Sequence, residues 1–445
     1  NFTPGITASL WKFTDTLFII YSPDLKTSKI RIFTQLPGNT VNKVFLHSNY
    51  DLMLIFFLIL SEILTFTIIR NHFKGISRTR YYLTMVANAA MSIFFWILFT
   101  EVTGWNESFD DARHIWLIMN LNGAYAAIFV PRLILIILHF TGIVINYREG
   151  GHLRRMTNAG FIVWLVILFI VVSGTFYGRF NVKTEHVTVR YENLNPDLEG
   201  LTIVQISDLH LASFHGRADF LEKQVAKING TEPDIIINSG DFISYGWREF
   251  GRMDTVLAKL KGRMGSFAVF GNHDMGTYHP SFSPVDRKSH LLMMENLICR
   301  SGFVLLKDDG VTIRRGNAEV SISGITTSGR HGHITYGDLN KATAGRENSD
   351  FNILISHDPN HWRKYVTGRF KADLTLAGHT HGMQLGIYTG FFRWSPSEIW
   401  YPEWNGLYSE NQQNLYVNRG LGVLGVPFRI WMPPEITVIK ITGRH

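Results

Sequence analysis

Apolar positions are unevenly spread along this chain, and the spread divides it. Four long apolar runs, at 52–69, 82–100, 116–145 and 160–177, follow one another with short polar connections. A helix needs about 20 apolar residues to cross a bilayer. These runs therefore predict four transmembrane helices rather than buried helices of a soluble core. Beyond residue 180 the pattern shortens to that of an α/β domain. Runs at 201–207, 234–239, 266–270, 351–355 and 372–376 read as short buried strands, and 186–191 alternates like an edge strand. Amphipathic helices are expected at 217–229 and from 254–260, and a meander at 304–306, 311–314 and 319–322. The predicted organisation is an N-terminal segment (1–50), a four-helix membrane region (51–178) and an α/β domain (179–445).

Charge refines the membrane region. The net charge of +7 is modest and forms no stripe of the kind that binds nucleic acid. Basic residues gather beside the apolar runs, at Arg70, Lys74, Arg78 and Arg80 and at Arg148, Arg154 and Arg155. The second connection instead carries Glu101, Glu107, Asp110 and Asp111. Loops one and three are thus expected in the cytoplasm, with loop two and everything after Tyr177 outside. Glu62 and Arg132 fall inside spans, where a charge facing lipid is costly, so they are expected to pair. Residues 1–50 show no long apolar span, no signal-peptide pattern and no initiator methionine. Met53, at the mouth of the first span, would make a sensible start, and the leader is assigned no function. The single cysteine, Cys299, excludes an intramolecular disulfide and reads as a half-buried apolar residue.

Five fragments carry the chemistry: Asp208-Leu209-His210, Gly240-Asp241, Gly271-Asn272-His273-Asp274, Ser356-His357 and Gly378-His379-Thr380-His381-Gly382. Each follows an apolar run, as ligands at the carboxyl ends of parallel strands would. Two divalent ions about 3.5–4 Å apart can clamp a phosphoryl group, given one carboxylate that bridges them and separate ligands for each. Asp241 suits the bridge, because the glycine before it lets the backbone approach closely. Asp208 and His210 reach one ion from a single turn. Asn272 offers a neutral oxygen, and His357, His379 and His381 complete the set. Mixed nitrogen and oxygen ligation favours Mn, Fe or Zn over Mg or Ca.

The fragments, in this order, resemble the D-x-H, G-D, G-N-H-[DE], H and G-H-x-H pattern of the calcineurin-like metallophosphoesterase superfamily. The resemblance implies a four-layer α/β/β/α sandwich with two mixed sheets. It implies a first ion on Asp208, His210, Asp241 and His381 and a second on Asp241, Asn272, His357 and His379. His273 would contact the phosphate and help protonate the leaving oxygen, oriented by Asp274. The nucleophile would be a metal-bridging hydroxide, without a covalent intermediate. Stretches 200–211, 378–384, 418–422 and 433–436 are similar to the bacterial membrane-attached YkuE-like group, which implies the bacterial inner membrane. Met383 stands where that group often has glycine.

The expected activity is hydrolysis of phosphoester or pyrophosphate bonds, on a phosphorylated, lipid-linked or envelope substrate. A non-catalytic membrane protein using the domain for binding is the alternative, disfavoured because no ligand is missing. A transporter would need broken, repeated helices that the spans lack. The aromatic segment 391–408, with Phe391, Phe392, Trp394, Trp400, Tyr401, Trp404 and Tyr408, reads as a packed loop over the sheet end. Its other reading is an amphipathic lip that touches the bilayer or grips an acyl chain. His331 and His333 imitate a ligand pair but read as surface loop.

Overall fold

The computed structural model describes the backbone at 9–14, 17–22, 29–35 and 41–46, and from 49 onward except at 75–76, 150–151, 331–332, 390 and 445. Side chains are described from 53 onward, again without those positions and without 146–149. Within the N-terminal segment, strands β1 (Ser9–Thr14), β2 (Leu17–Ser22), β3 (Lys29–Gln35) and β4 (Val41–Leu46) form an antiparallel meander.

The chain divides into two compact units, one of Asn1–Glu107 with Asn120–Val171 and one of Ser108–Met119 with Val172–His445. Four long helices follow the meander: α1 (Asn49–Phe73), α2 (Arg78–Thr103), α3 (Ala112–Glu149) and α4 (His152–Phe176). All four are long and apolar enough to cross a membrane. Ser77 caps α2 by accepting the Arg80 N–H at 3.3 Å. The two charges inside the spans meet as expected. Arg132 Nη1 lies 3.3 Å from Glu62 Oε1, and Arg132 Nη2 also donates to Asn88 Oδ1 (2.9 Å) and Ser92 Oγ (2.7 Å). Trp96 donates to the same Glu62 oxygen at 3.1 Å. Fully buried Arg132 thus has its donors satisfied by protein rather than lipid.

The second unit is built on two six-stranded sheets. In chain order the strands are β5 (Lys183–Tyr191), β6 (Thr202–Ile206), β7 (Ile235–Asn238), β8 (Gly265–Ala268), β9 (Val304–Leu305), β10 (Asp309–Arg315), β11 (Ala318–Ile325), β12 (Thr327–Arg330) and β13 (His333–Tyr336). They continue with β14 (Phe351–Ser356), β15 (Leu374–Ala377), β16 (Ile387–Tyr388), β17 (Arg393–Trp394), β18 (Gly406–Glu410), β19 (Gln413–Val417) and β20 (Glu435–Gly443). One sheet runs β5-β20-β6-β7-β8-β9, the other β10-β11-β14-β15-β19-β18. Strands β6, β7 and β8 are parallel, as are β11, β14, β15 and β19. Both sheets are mixed, because β20 is antiparallel to β6, and β10 and β18 are antiparallel edges.

The burial pattern makes four layers. Ile203, Ile235, Ile237 and Val269 from one sheet pack with Val320, Ile353 and Leu374 from the other. On the first sheet's outer face, Val204 and Ile236 pack on α5 (Ala218–Asn229), α6 (Met253–Leu257) and α7 (Pro284–Arg300). On the second sheet's outer face, Leu354 and Val417 pack against α8 (Leu339–Thr343) and the turn around Trp362. Each fully buried aliphatic side chain contributes about 1.5–3 kcal/mol, which fits the short central strands β7 and β15 being buried along their whole length.

Four readings change. The meander expected at 304–322 does not form, because β9 pairs parallel with β8 in the first sheet while β10 and β11 pair in the second. Strands β18, β19 and β20 were not anticipated, and β20 sits second in its sheet, inserted between β5 and β6. Cys299 is exposed on α7 rather than half-buried. His333 opens β13, which pairs with β12 in a hairpin, so it is not in a loop; His331 lies outside the described residues.

Candidate metal centre

All five fragments sit where strands end: Asp208 after β6, Asp241 after β7, Asn272 after β8, His357 after β14 and His379 after β15. The turns are tight enough to force unusual backbone. Asp208, His210, Asp241, His379 and His381 all have φ between 39° and 71°. Left-handed backbone is disfavoured for such residues and gathers where function fixes the geometry. Gly240 (φ 109°) leaves no room for a Cβ, which would stand 2.8 Å from His357 Nδ1. At Gly378 a Cβ would collide with Ser207 and Asp208.

These turns gather two groups of metal-ligand side chains, Asp208, His210 and His381 in one and Asp241, His357 and His379 in the other. His210 Nε2 is 3.1 Å from His381 Nε2, which is 3.2 Å from Asp208 Oδ1. His357 Nε2 is 3.1 Å from Asp241 Oδ2 and 3.2 Å from His379 Nδ1. Asp241 Oδ2 also lies 3.9 Å from His210 Nε2, so this carboxylate stands between the groups. Asn272 donates from Nδ2 to Tyr278 at 3.0 Å, while its buried Oδ1 has no hydrogen-bond partner. Buried oxygens are nearly always satisfied, and a cation would satisfy this one. The donor set therefore fits divalent metal.

The surroundings prepare the ligands. His357 Nδ1 donates to the Ser239 carbonyl (2.8 Å), His210 Nδ1 meets Ser244 Oγ (3.2 Å), and His379 Nε2 meets Tyr401 Oη (2.8 Å). Such partners fix which ring nitrogen is free to ligate. Burial, with His357 nearby, drives His379 down to about 4. Burial likewise lowers His210 and His273, leaving neutral rings of the kind metals bind. Burial alone would raise Asp208 and Asp241, but neighbouring imidazoles hold both well below the usual carboxylate range. Burial also opposes charge on His357, yet Asp241 overrides it and pushes the ring up to about 10. The field at that corner calls for positive charge.

His273 is held differently from the expectation. Its Nδ1 donates to the Ser244 carbonyl at 2.6 Å and its ring stacks on Tyr278 at 4.1 Å. Asp274 does not orient it. Both Asp274 oxygens accept backbone amides, from Asp241 (2.9 Å), Gly271 (3.0 Å), Phe242 (2.8 Å) and Ile243 (3.3 Å). Asp274 thus shapes the turn that presents Asp241. Glu249, pushed up to about 7 by burial, holds the Ser244 and Tyr245 amides and so the carbonyl behind His273. Buried Arg429 donates to the carbonyls of Gly420 (3.1 Å), Gly422 (2.7 Å) and Met432 (3.3 Å), closing the loop behind His381. None of Ser244, Glu249, Tyr278, Tyr401 and Arg429 announced its role in the sequence: Ser244 and Tyr401 act across 29 and 22 positions, and the other three through turns whose shape no local pattern signals.

Asp241, His273, His379 and His381 open onto a cavity of about 860 Å³. Its other walls mix apolar and aromatic side chains, Ile334, Tyr336, Trp400, Tyr401, Leu424 and Val426, with the polar Asp358, Asn360, Lys364 and Gln384.

Fold and site together define a protein with clustered metal ligands at the strand ends of a double-sheet sandwich. Residues 201–383 match the family model of the calcineurin-like phosphoesterases, and this part of the chain is a calcineurin-like metallophosphoesterase domain. The chain is 28% identical to the uncharacterised metallophosphoesterase YkuE of Bacillus subtilis, over 59% of this chain and 86% of the relative. It is 29% identical to the UDP-2,3-diacylglucosamine pyrophosphatase LpxG of Chlamydia muridarum, over 55% and 84% respectively. A transmembrane protein with metallophosphoesterase domain from Danio rerio is 27% identical, over 65% of this chain and 64% of that one. The family matched over these residues is one of phosphoesterases.

Proposed function

We propose that the chain is a membrane-anchored hydrolase of phosphoester or pyrophosphate bonds, with 51–178 as its anchor and 179–445 as its catalytic domain. The observation that carries this reading is the Asp241 carboxylate standing between two groups of metal ligands. Asp208, His210, Asp241 and His381 would hold one divalent ion, and Asp241, Asn272, His357 and His379 the other. Mn, Fe or Zn suits this donor set. Bound there, the ions would neutralise phosphoryl charge and acidify water, so that water rather than a side chain is the nucleophile. His273 has Nδ1–H committed to Ser244, so in the neutral ring Nε2 is an acceptor: it would take up the proton released by the attacking water and pass that proton to the leaving oxygen. The apolar part of the cavity wall, at Ile334, Trp400, Leu424 and Val426, would suit a substrate with a lipid-like group, and the substrate in LpxG's name is of that class.

A hydrolysis screen tests this reading. The full-length protein in detergent, with Mn²⁺, Zn²⁺ or Mg²⁺, is offered p-nitrophenyl phosphate, its bis-ester, UDP-diacylglucosamine and polyprenyl pyrophosphate. Turnover with two ions per chain, lost on chelation, is expected. A fully active enzyme with one ion would refute the two-ion site.

The catalytic domain is further proposed to face outward from a bacterial inner membrane. The basic clusters support this. So does Asp110 of the second connection, which packs in the same unit as the phosphoesterase sheets, 3.1 Å from Arg248. Protease added to spheroplasts should therefore cleave the domain. Protection until lysis would reverse the topology and favour a cytosolic lipid precursor as substrate.

A further inference from the structure

The hairpin β16–β17 exposes an apolar surface that the catalytic reading leaves unused. Phe391 at its tip is fully exposed, Phe392 and Trp394 are half exposed, and Trp431 beside its base is 65% exposed. Exposed aromatic clusters of this kind are uncommon on soluble domains and mark interaction sites. What covers them follows from where the hairpin is rooted. Gly386 N–H donates to the Ile430 carbonyl at 3.1 Å, and Ile430 N–H donates to the Gln384 carbonyl at 2.8 Å. The adjoining Arg429 N–H donates to the Gly174 carbonyl at 3.2 Å, in the end of α4. That end, with exposed Phe176 and Tyr177, closes an apolar span running from His152 to Phe180. The hairpin base is therefore pinned where the chain leaves its last membrane-length helix.

We propose that the β16–β17 hairpin and Trp431 insert into the interface of the bilayer that holds α4, and that a membrane-resident phosphoester enters the cavity from there. Phe and Trp at the level of lipid headgroups are stabilised by their partly apolar, partly polar surroundings. The hairpin is tied to the rim of the site. Ser395, just after β17, donates from Oγ to the Gly382 carbonyl at 2.6 Å, tying the hairpin to the turn that carries His379 and His381. Met383, in that turn, is half exposed and lines the cavity with Trp400, Leu424 and Val426. The insertion stands by itself; the entry route rests on the hydrolase reading above.

The test uses full-length protein in phosphatidylcholine–phosphatidylglycerol vesicles. A polarity-sensitive dye is placed on Phe391→Cys in a Cys299→Ser background, with dye on native Cys299, exposed on α7, as the reference. The dye at 391 should emit to the blue of the reference and be quenched by spin-labelled lipid, while aqueous iodide quenches only the reference. Iodide quenching both sites equally, without lipid quenching at 391, would overturn the insertion. In parallel, Phe391→Ser with Phe392→Ser should leave p-nitrophenyl phosphate turnover unchanged and lower turnover of vesicle-embedded polyprenyl pyrophosphate about tenfold or more. Equal loss on both substrates, or on neither, would overturn the entry route. Absence of turnover on every substrate in the wild type would instead sink the hydrolase reading, with the dye still deciding the lip.

Discussion

Asp241→Ala should empty both metal positions and bring turnover to background. Oδ2 lies 3.1 Å from the His357 ring and 3.9 Å from the His210 ring, so one side chain serves both groups. Oδ1 accepts the His273 N–H at 2.9 Å and fixes how the carboxylate faces them. Loss of an outer-shell partner alone costs about 10–100-fold in metal affinity. A ligand shared by two ions should cost more than about 100-fold at each. Elemental analysis of the purified variant, beside rates measured at saturating metal, checks this. Retention of two ions would remove Asp241 from the bridging position. Asp241→Asn keeps the shape and loses the charge. Metal loss in that variant too would identify charge rather than volume as the cause.

The ligands could be read from the sequence because each is a chemical type placed within a few residues of a buried strand. Strand, turn and ligand are all local, and coordination chemistry tolerates few substitutes. What surrounds the ligands could not be read. Tyr401 reaches His379 from 22 positions away, and Ser244 reaches His273 from 29. Asp274 misled for the same reason. Adjacency to His273 suggested a bond, but the turn after β8 directs its carboxylate onto four amides of the neighbouring turn and its own. The stretches around Asn418 and Pro433 matched a family without revealing a purpose. In the structure they hold buried Arg419 between Glu185 (2.7 Å) and Glu435 (3.0 Å), locking the ends of β5 and β20 together. Strand β20 itself escaped because it earns its place by pairing with β5 and β6, which lie more than 200 residues earlier. The transmembrane pair was legible for the opposite reason. Lipid leaves a charge few options, so Glu62 and Arg132 constrained each other without any knowledge of the packing.

His273→Ala should lower turnover by about 10²–10⁴-fold, the range for one positioned acid–base group, with both ions still bound. The ring is buried beside the ligands and opens onto the cavity. One nitrogen is committed to the Ser244 carbonyl, and Tyr278 stacks on one face at 4.1 Å. Nε2 is thus presented in one orientation without belonging to either ligand group. A side chain held that way can serve a phosphate oxygen and its leaving group, and removing it should leave coordination intact. The prediction separates chemistry from binding when read beside Asp241→Ala, which should lose both. Substrates with a nitrophenolate leaving group, which departs without a proton, should be affected less than alkyl phosphoesters. An equal loss on the two would assign His273 to binding the phosphate rather than to protonation. Loss of metal from His273→Ala, or an unchanged rate, would remove it from the chemistry altogether.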